Sequence, residues 1–310
     1  MMDATCYESH LRFPTDIKLM WECCDWLHGL TASVCKSLGE RQPRNKFRAV
    51  SEARLAHSKQ RKPKRSANRK MKRRVLHLLG KLIRQWDEIR KQFSPMIPLT
   101  AEQEKRLMAI AEVDRQQKAL FEGKTVRHRL VSIDRPYLRP IIRGKENKRV
   151  EFGAKVNNIQ IDGISFIEHC SFEAFSEGVR LKQCVEYQQE LTGVKVREIG
   201  ADSIYANNAN RTFCTEEGIT TSFPRKGARP KVDESQLKRR MLGTVRATAM
   251  EGSFGNQKQH YDLGRVAARN RRSEVLQIFF GIHMANAATL AARSIAAQER
   301  RKTEHKKNVG

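Results

Sequence analysis

Three acidic residues, Asp3, Asp202 and Glu251, are spaced so that separate parts of the chain could bring them into one metal site. Hard divalent cations take oxygen ligands, and Mg²⁺ is held by a few carboxylates with water and substrate phosphate completing its shell. Two such ions about 4 Å apart can activate a water or a 3′-hydroxyl and stabilise the leaving oxygen, which suits in-line attack on a phosphodiester. Carboxylates clustered without cations repel and raise one another's pKa, so this grouping calls for metal. On spacing alone, a helix-surface role for Glu251 and a turn role for Asp202 stand beside that reading.

Each carboxylate needs an element to aim it. Residues 1–15 read as an extended segment ending near Pro14, the first strand, and Thr15 or Asp16 can cap the helix that follows. Residues 16–122 have helical spacing and form a basic insertion, with a capping box at Thr100 and Gln103. From 123 to 293 the period switches to that of alternating strands and helices, and 294–310 form a charged tail. Val150, Phe152, Ala154 and Val156 alternate as a half-buried strand, with a phase slip at Asn157-Asn158 that predicts a bulge. Asp162-Gly163 is a hairpin turn signal. A helix capped by Ser176 then follows, with Leu181, Cys184, Val185 and Leu191 inward and Gly193 as its stop. A strand from Val194 to Ala201 runs into Asp202, a helix from Asn207 ends by Gly218, and a long helix carries Glu251. With the insertion set aside, this is the element order of a ribonuclease-H-like α/β core, a mixed sheet flanked by helices. In that order the first strand lies beside the one that ends at Asp202.

Charge narrows the partner. The 310 residues include 60 Lys and Arg against 34 Asp and Glu, a formal charge of +26, which suits closely spaced phosphates. Positions 41–74 hold fifteen Lys or Arg and one acid, Glu52. The stretch from Arg61 to Arg74 reads as a solvated loop, or as a nucleic-acid contact that includes Arg73 and Arg74. The seven cysteines form no C-x-x-C pair, which argues against a zinc site or a disulfide framework and for reduced thiols in the cytosol. The apolar run Val275–Ala292 is broken by Gln277, His283 and Asn286 and reads as a core helix, with no membrane partner expected.

Local motifs add a resemblance. Asp3-Ala4-Thr5-Cys6-Tyr7-Glu8-Ser9 with Arg12-Phe13-Pro14-Thr15-Asp16, and Arg139-Pro140-Ile141-Ile142-Arg143-Gly144-Lys145 before Val150–Lys155, resemble DDE transposases of insertion-sequence families four and five. Asp202-Ser203-Ile204-Tyr205-Ala206-Asn207-Asn208-Ala209-Asn210-Arg211 looks like that grouping's second-aspartate motif, and Glu251-Gly252-Ser253-Phe254-Gly255-Asn256-Gln257-Lys258 like its glutamate motif. The resemblance implies a ribonuclease-H-like catalytic domain that hydrolyses and joins DNA at element ends. Its cofactor would be Mg²⁺ or Mn²⁺, in a two-ion site held by Asp3, Asp202 and Glu251. It also implies double-stranded DNA as partner, action as a homo-oligomer, and a cytoplasmic, nucleoid-associated setting in a prokaryote. Lys258 matches a residue that approaches DNA near the cleavage site; seven residues from Glu251 is about two helical turns, so the two share a face. Arg143, Lys145 and Arg246 are further candidate DNA contacts; the family often has an arginine with three residues between it and the glutamate, whereas Arg246 leaves four.

Members of the grouping usually carry a helical region before the first aspartate, and here Asp3 is two residues from the start. That departure suggests an alternative, a truncated transposase that binds DNA without efficient cutting. A non-catalytic RNA- or ribosome-associated protein is the reading from another class; it leaves the family-like neighbours of the acids unexplained.

Overall fold

The computed structural model describes residues 1–12, 14–142, 150–227 and 235–309. They divide into two compact units, one of Leu11–Arg139 and one of Met1–His10 with Pro140–Gly310.

The first of these units is helical: α1 Asp16–Ser37, α2 Phe47–Ser58, α3 Arg65–Phe93 and α4 Ala101–Phe121. Apolar stripes on the four helices meet in one core that includes Leu19, Leu27, Val50, Val75, Leu79, Leu82, Trp86, Ile110 and Val113. Thr15 caps α1, accepting the Lys18 N–H, and Thr100 and Gln103 form both halves of the capping box of α4. The charged stretch expected as a loop is helical from Arg65 onward. Lys and Arg are good helix formers, and Met71 and Val75 bury one side of that turn while Arg73 and Arg74 stay exposed.

Asp16 ties this unit together. Its carboxylate accepts from Lys72 Nζ at 2.6 Å on α3 and from Gln117 Nε2 at 3.2 Å on α4, and pairs with Arg129. Burial opposes its ionisation, yet Lys72, Arg129 and Gln117 outweigh that and hold the carboxyl below its ordinary value. A lowered folded-state pKa means stability that is present above the unfolded value, 3.8, and lost as pH falls through the folded one. Asp16→Asn should therefore cost about 1–2 kcal/mol at pH 7. In urea melts at a series of pH values, the gap to the wild type should close as pH drops below 3.8.

The second unit is mixed α/β: β1 Met2–Glu8, β2 Pro140–Ile142, β3 Val150–Ile161, β4 Ile164–Ser171, α5 Leu181–Thr192, β5 Glu198–Ile199, α6 Asn208–Glu216, β6 Thr220–Thr221, α7 Ser235–His260 and α8 Arg271–Val309. β3 is the centre, with β1, β2 and β4 all antiparallel to it. β5 and β6 pair in parallel, and a parallel bridge from Met2 to Ala201 joins β1 to the end of β5. The Asp162-Gly163 turn has both residues at positive φ, as a tight hairpin needs.

The register slips between Asn157 and Asn158, where the bulge was expected. It turns the fully buried Asn157 into a polar cluster, where it accepts from the Tyr205 hydroxyl at 2.6 Å and donates to Glu168 at 2.8 Å. β3 is more buried than its alternation suggested, because Glu151 is covered as well as Ala154 and Val156. A central strand packed on both faces loses the alternating pattern of an edge strand.

Some boundaries differ from expectation. The strand foreseen over Val194–Ala201 shrinks to Glu198–Ile199. Ser176 makes no cap bond and precedes only the 3₁₀ turn Glu177–Val179, so α5 starts at Leu181. Leu191 of α5 is exposed while Leu181, Cys184 and Val185 are buried. α8 continues through the charged tail. By length and composition its 271–304 stretch could cross a membrane. Ile278, Ile282 and Ala285 are nonetheless buried, and Asn286 brackets the Ser165 backbone of β4, accepting its N–H at 2.9 Å and donating to its carbonyl at 2.7 Å.

Candidate functional site

Because Met2 pairs with Ala201, and its N–H donates to Gly200 O at 3.0 Å, the next residue on each strand, Asp3 and Asp202, stand side by side. Asp3 Oδ1 accepts the Ala4 N–H at 2.8 Å, and Asp202 Oδ1 accepts the Ser203 N–H at 2.6 Å, capping the short 3₁₀ turn Ser203–Tyr205. The second oxygens of both carboxylates face one cation. Arg246 Nη2 lies 2.6 Å from Asp3 Oδ2 and 3.7 Å from Asp202 Oδ2. The Asp3 side chain is 15% exposed and that of Asp202 is 49% exposed, so one ligand position is sheltered and the other open. Burial pushes the Asp3 carboxyl above its ordinary value against the pull of Arg246 and the Ala4 N–H, and the charge of Asp202 adds to the push.

α7 lies along β1. Its inward residues Leu242, Met250, Phe254 and Gln257 are buried, and Gln257 accepts from the Tyr7 hydroxyl. Lys258 donates to Thr5 Oγ1 at 2.9 Å, with its ammonium 5.7 Å from the Tyr7 ring centre. Asp3, Thr5 and Tyr7 alternate onto one face of β1, so a single strand positions the acid, the rest for Lys258 and the anchor of α7.

Glu251 is exposed, and among the described residues no hydrogen bond or ion pair holds it. Five residues past Arg246 turn the helix by about 140° beyond whole turns, so a helix that aims Arg246 at Asp3 carries Glu251 on its flank. Lys258 sits on that same flank two turns on, and its longer side chain reaches back to β1. Gly252 and Gly255 lie within α7 with nothing near enough to require a glycine.

Among the described residues no group of three or more His, Cys, Asp and Glu is assembled that could hold an ion. Two carboxylates do converge on one positive centre, and two are enough for Mg²⁺ when water and substrate phosphate fill the remaining positions. The Asp3–Asp202 pair therefore fits a hard divalent cation.

Tyr205 is fully buried, and its hydroxyl is spent on Asn157. Arg143 and Lys145 lie outside the described residues. Arg73 and Arg74 line a cavity of about 420 Å³ with Lys46, Val50, His77, Leu78 and Lys81, a basic groove between α2 and α3. The role of Thr5 was not foreseen, although its place two residues after Asp3 put it on the same strand face.

Residues 199–285, which include Asp202 and Glu251 but not Asp3, match a family model described as the transposase DDE domain. No curated protein and no solved structure matches the chain. The matched segment supports transposase function and DNA as the molecule acted on, and DDE transposases generally use divalent metal ions.

Proposed function

We propose that the chain is an insertion-sequence DDE transposase, of the grouping of families four and five. It would hydrolyse a phosphodiester at element ends and transfer the resulting strand, with Asp3, Asp202 and Glu251 as the metal-holding triad. The observation that carries this reading is the convergence of Asp3 and Asp202 on the Arg246 guanidinium, where the Met2–Ala201 bridge joins the antiparallel sheet to the parallel β5–β6 pair. The run β4-β3-β1 in one sheet, linked by the Met2–Ala201 bridge to the separate parallel pair β5-β6, supports a ribonuclease-H-like core. When bound, Mg²⁺ or Mn²⁺, as a pair of ions, would activate the attacking water or 3′-hydroxyl and stabilise the leaving oxygen.

The protein's own groups do the rest. Asp3, fixed in the β1–β3 ladder, gives the site a rigid sheltered side, and Asp202 offers a half-exposed carboxylate to which substrate has access. Glu251 stands about 140° around α7 from Arg246, so to join the two aspartates it needs α7 to turn or repack on the sheet. Lys258, steadied by Thr5 and Tyr7, presents its charge to a phosphate beside the acids. The partners are double-stranded DNA at element ends and target, engaged by a homo-oligomer.

The helical unit supplies most of the attraction for DNA. Residues 11–139 carry 31 Lys and Arg against 13 Asp and Glu, an excess of 18 of the chain's 26 net positive charges. Replacing Arg73 and Arg74 together with Ala should weaken binding to any duplex about equally. It should also reduce the slope of log affinity against log salt by about 1–2. An unchanged slope in fluorescence anisotropy titrations would remove this groove from the DNA surface.

A second reading, a protein that binds DNA without cutting it, draws on Glu251 standing apart from the two aspartates. The two readings separate in a nicking assay with Mg²⁺ or Mn²⁺ on DNA that carries the sequences flanking the gene. Metal-dependent nicks support the first, and binding without nicks supports the second.

A further inference from the structure

We infer that Arg246 is a resident counter-ion of the acidic site, standing between Asp3 and Asp202 in the metal-free protein and leaving Asp3 when a divalent cation binds. This rests on the reading of Asp3 and Asp202 as metal ligands.

Three observations carry it. One guanidinium nitrogen, Nη2, serves both carboxylates, at 2.6 Å and 3.7 Å. A guanidinium built to clamp a carboxylate permanently engages it with two parallel N–H bonds. Here the Nε of Arg246 is buried and, among the described residues, has no acceptor, so the contact is under-satisfied. Lastly, the stem is pinned while the head is not. A Cβ at Gly200 would come within 3.0 Å of Arg246 Cβ, so the end of β5 holds the root of this side chain against the sheet, and exchange needs only rotation of the outer torsions.

A compact divalent ion delivers two charges where the guanidinium delivers one. It also satisfies carboxylate oxygens that Nη2 reaches unequally. The arginine thus keeps two neighbouring carboxylates from repelling each other until metal arrives, and it competes with that metal.

The experiment measures Mn²⁺ affinity of the full chain by electron paramagnetic resonance of free Mn²⁺, with no DNA present. Arg246→Met keeps the apolar stem and removes the competitor, so Mn²⁺ should bind about tenfold more tightly. Arg246→Lys restores a cation and should bring affinity back to within about twofold of wild type. Asp202→Asn should weaken Mn²⁺ binding in both backgrounds. Equal or weaker binding by Arg246→Met, with Asp202→Asn still damaging, would overturn the exchange and leave the site reading intact. Mn²⁺ binding indifferent to Asp3→Asn and Asp202→Asn would instead overturn the site reading itself. Should Arg246→Met not fold, the Arg246 Nε–H signal of the wild type, identified by its loss in Arg246→Lys, decides. It should move when Mg²⁺ is added, and an unmoved signal at saturating Mg²⁺ rules the exchange out.

Discussion

Asp202→Asn and Glu251→Gln should each reduce metal-dependent nicking by roughly a thousandfold, about 4 kcal/mol of transition-state stabilisation, while leaving the fold intact. The two halves of that expectation come from different observations. The activity loss follows from the proposed role, since each change removes a charged oxygen ligand from a site proposed to hold cations against a phosphodiester. The unchanged stability follows from exposure. Asp202 is half-exposed; it caps the Ser203–Tyr205 turn, a task Asn performs as well as Asp, and its 3.7 Å pair with Arg246 is too long and too open to hold much stability. Glu251 is exposed on α7 and, among the described residues, makes no contact for Gln to lose. Thermal melts within a degree or two of wild type, beside lost nicking, would separate chemistry from folding. Nicking that survives both substitutions would end the triad assignment. If Asp202→Asn abolishes it and Glu251→Gln does not, the site is a two-carboxylate one and the flank of α7 plays no part.

How far the site could be read in the sequence depends on which physical fact fixed each residue. Asp3 and Asp202 were legible as neighbours because strand order dictates adjacency, and the Met2–Ala201 bridge delivers it. That Lys258 and Glu251 share one flank of α7 was legible from a seven-residue spacing, which is two turns of any α-helix. The pairing of Arg246 with both aspartates was not. Periodicity gives the angle between Arg246 and Glu251 on α7, but only the burial of Leu242, Met250 and Gln257, with Gln257 bonded to Tyr7 of β1, decides which of the two faces the acids. In this fold that packing favours Arg246. The fold divides in the same way. The bulge at Asn157-Asn158, the Asp162-Gly163 turn and the caps at Thr15 and Thr100 are local chemistry and were read correctly. The helical start of α3 at Arg65 was hidden by charge, since fifteen cations over 41–74 look like loop until their partner helices are known.

Gly153→Ala is expected to cost more than about 3 kcal/mol, although it adds one methyl group to a strand. Gly153 lies opposite Glu8 in the β1–β3 ladder. A Cβ there would sit 2.0 Å from the Tyr7 carbonyl oxygen and 2.8 Å from both Glu8 Cα and Ser9 N. All three are backbone atoms, of β1 and of Ser9 directly after it, so no side-chain rotation relieves the clash and the strand itself must move. The same methyl placed at Gly252 or Gly255 meets nothing within 4 Å, and because both lie inside α7, Gly252→Ala and Gly255→Ala should each stabilise by about 0.5–1 kcal/mol. Urea denaturation of the three variants tests the contrast, and amide exchange along β1 locates it, with protection falling in Gly153→Ala from Cys6 to Glu8 first. The consequence for function is direct. β1 carries Asp3, the rest for Lys258 at Thr5, and the anchor of α7 at Tyr7, so a strand pushed off β3 at Tyr7 loosens all three. A Gly153→Ala protein with wild-type stability would mean that β1 does not pair with β3 in this register, and Asp3 would then have no fixed place beside Asp202.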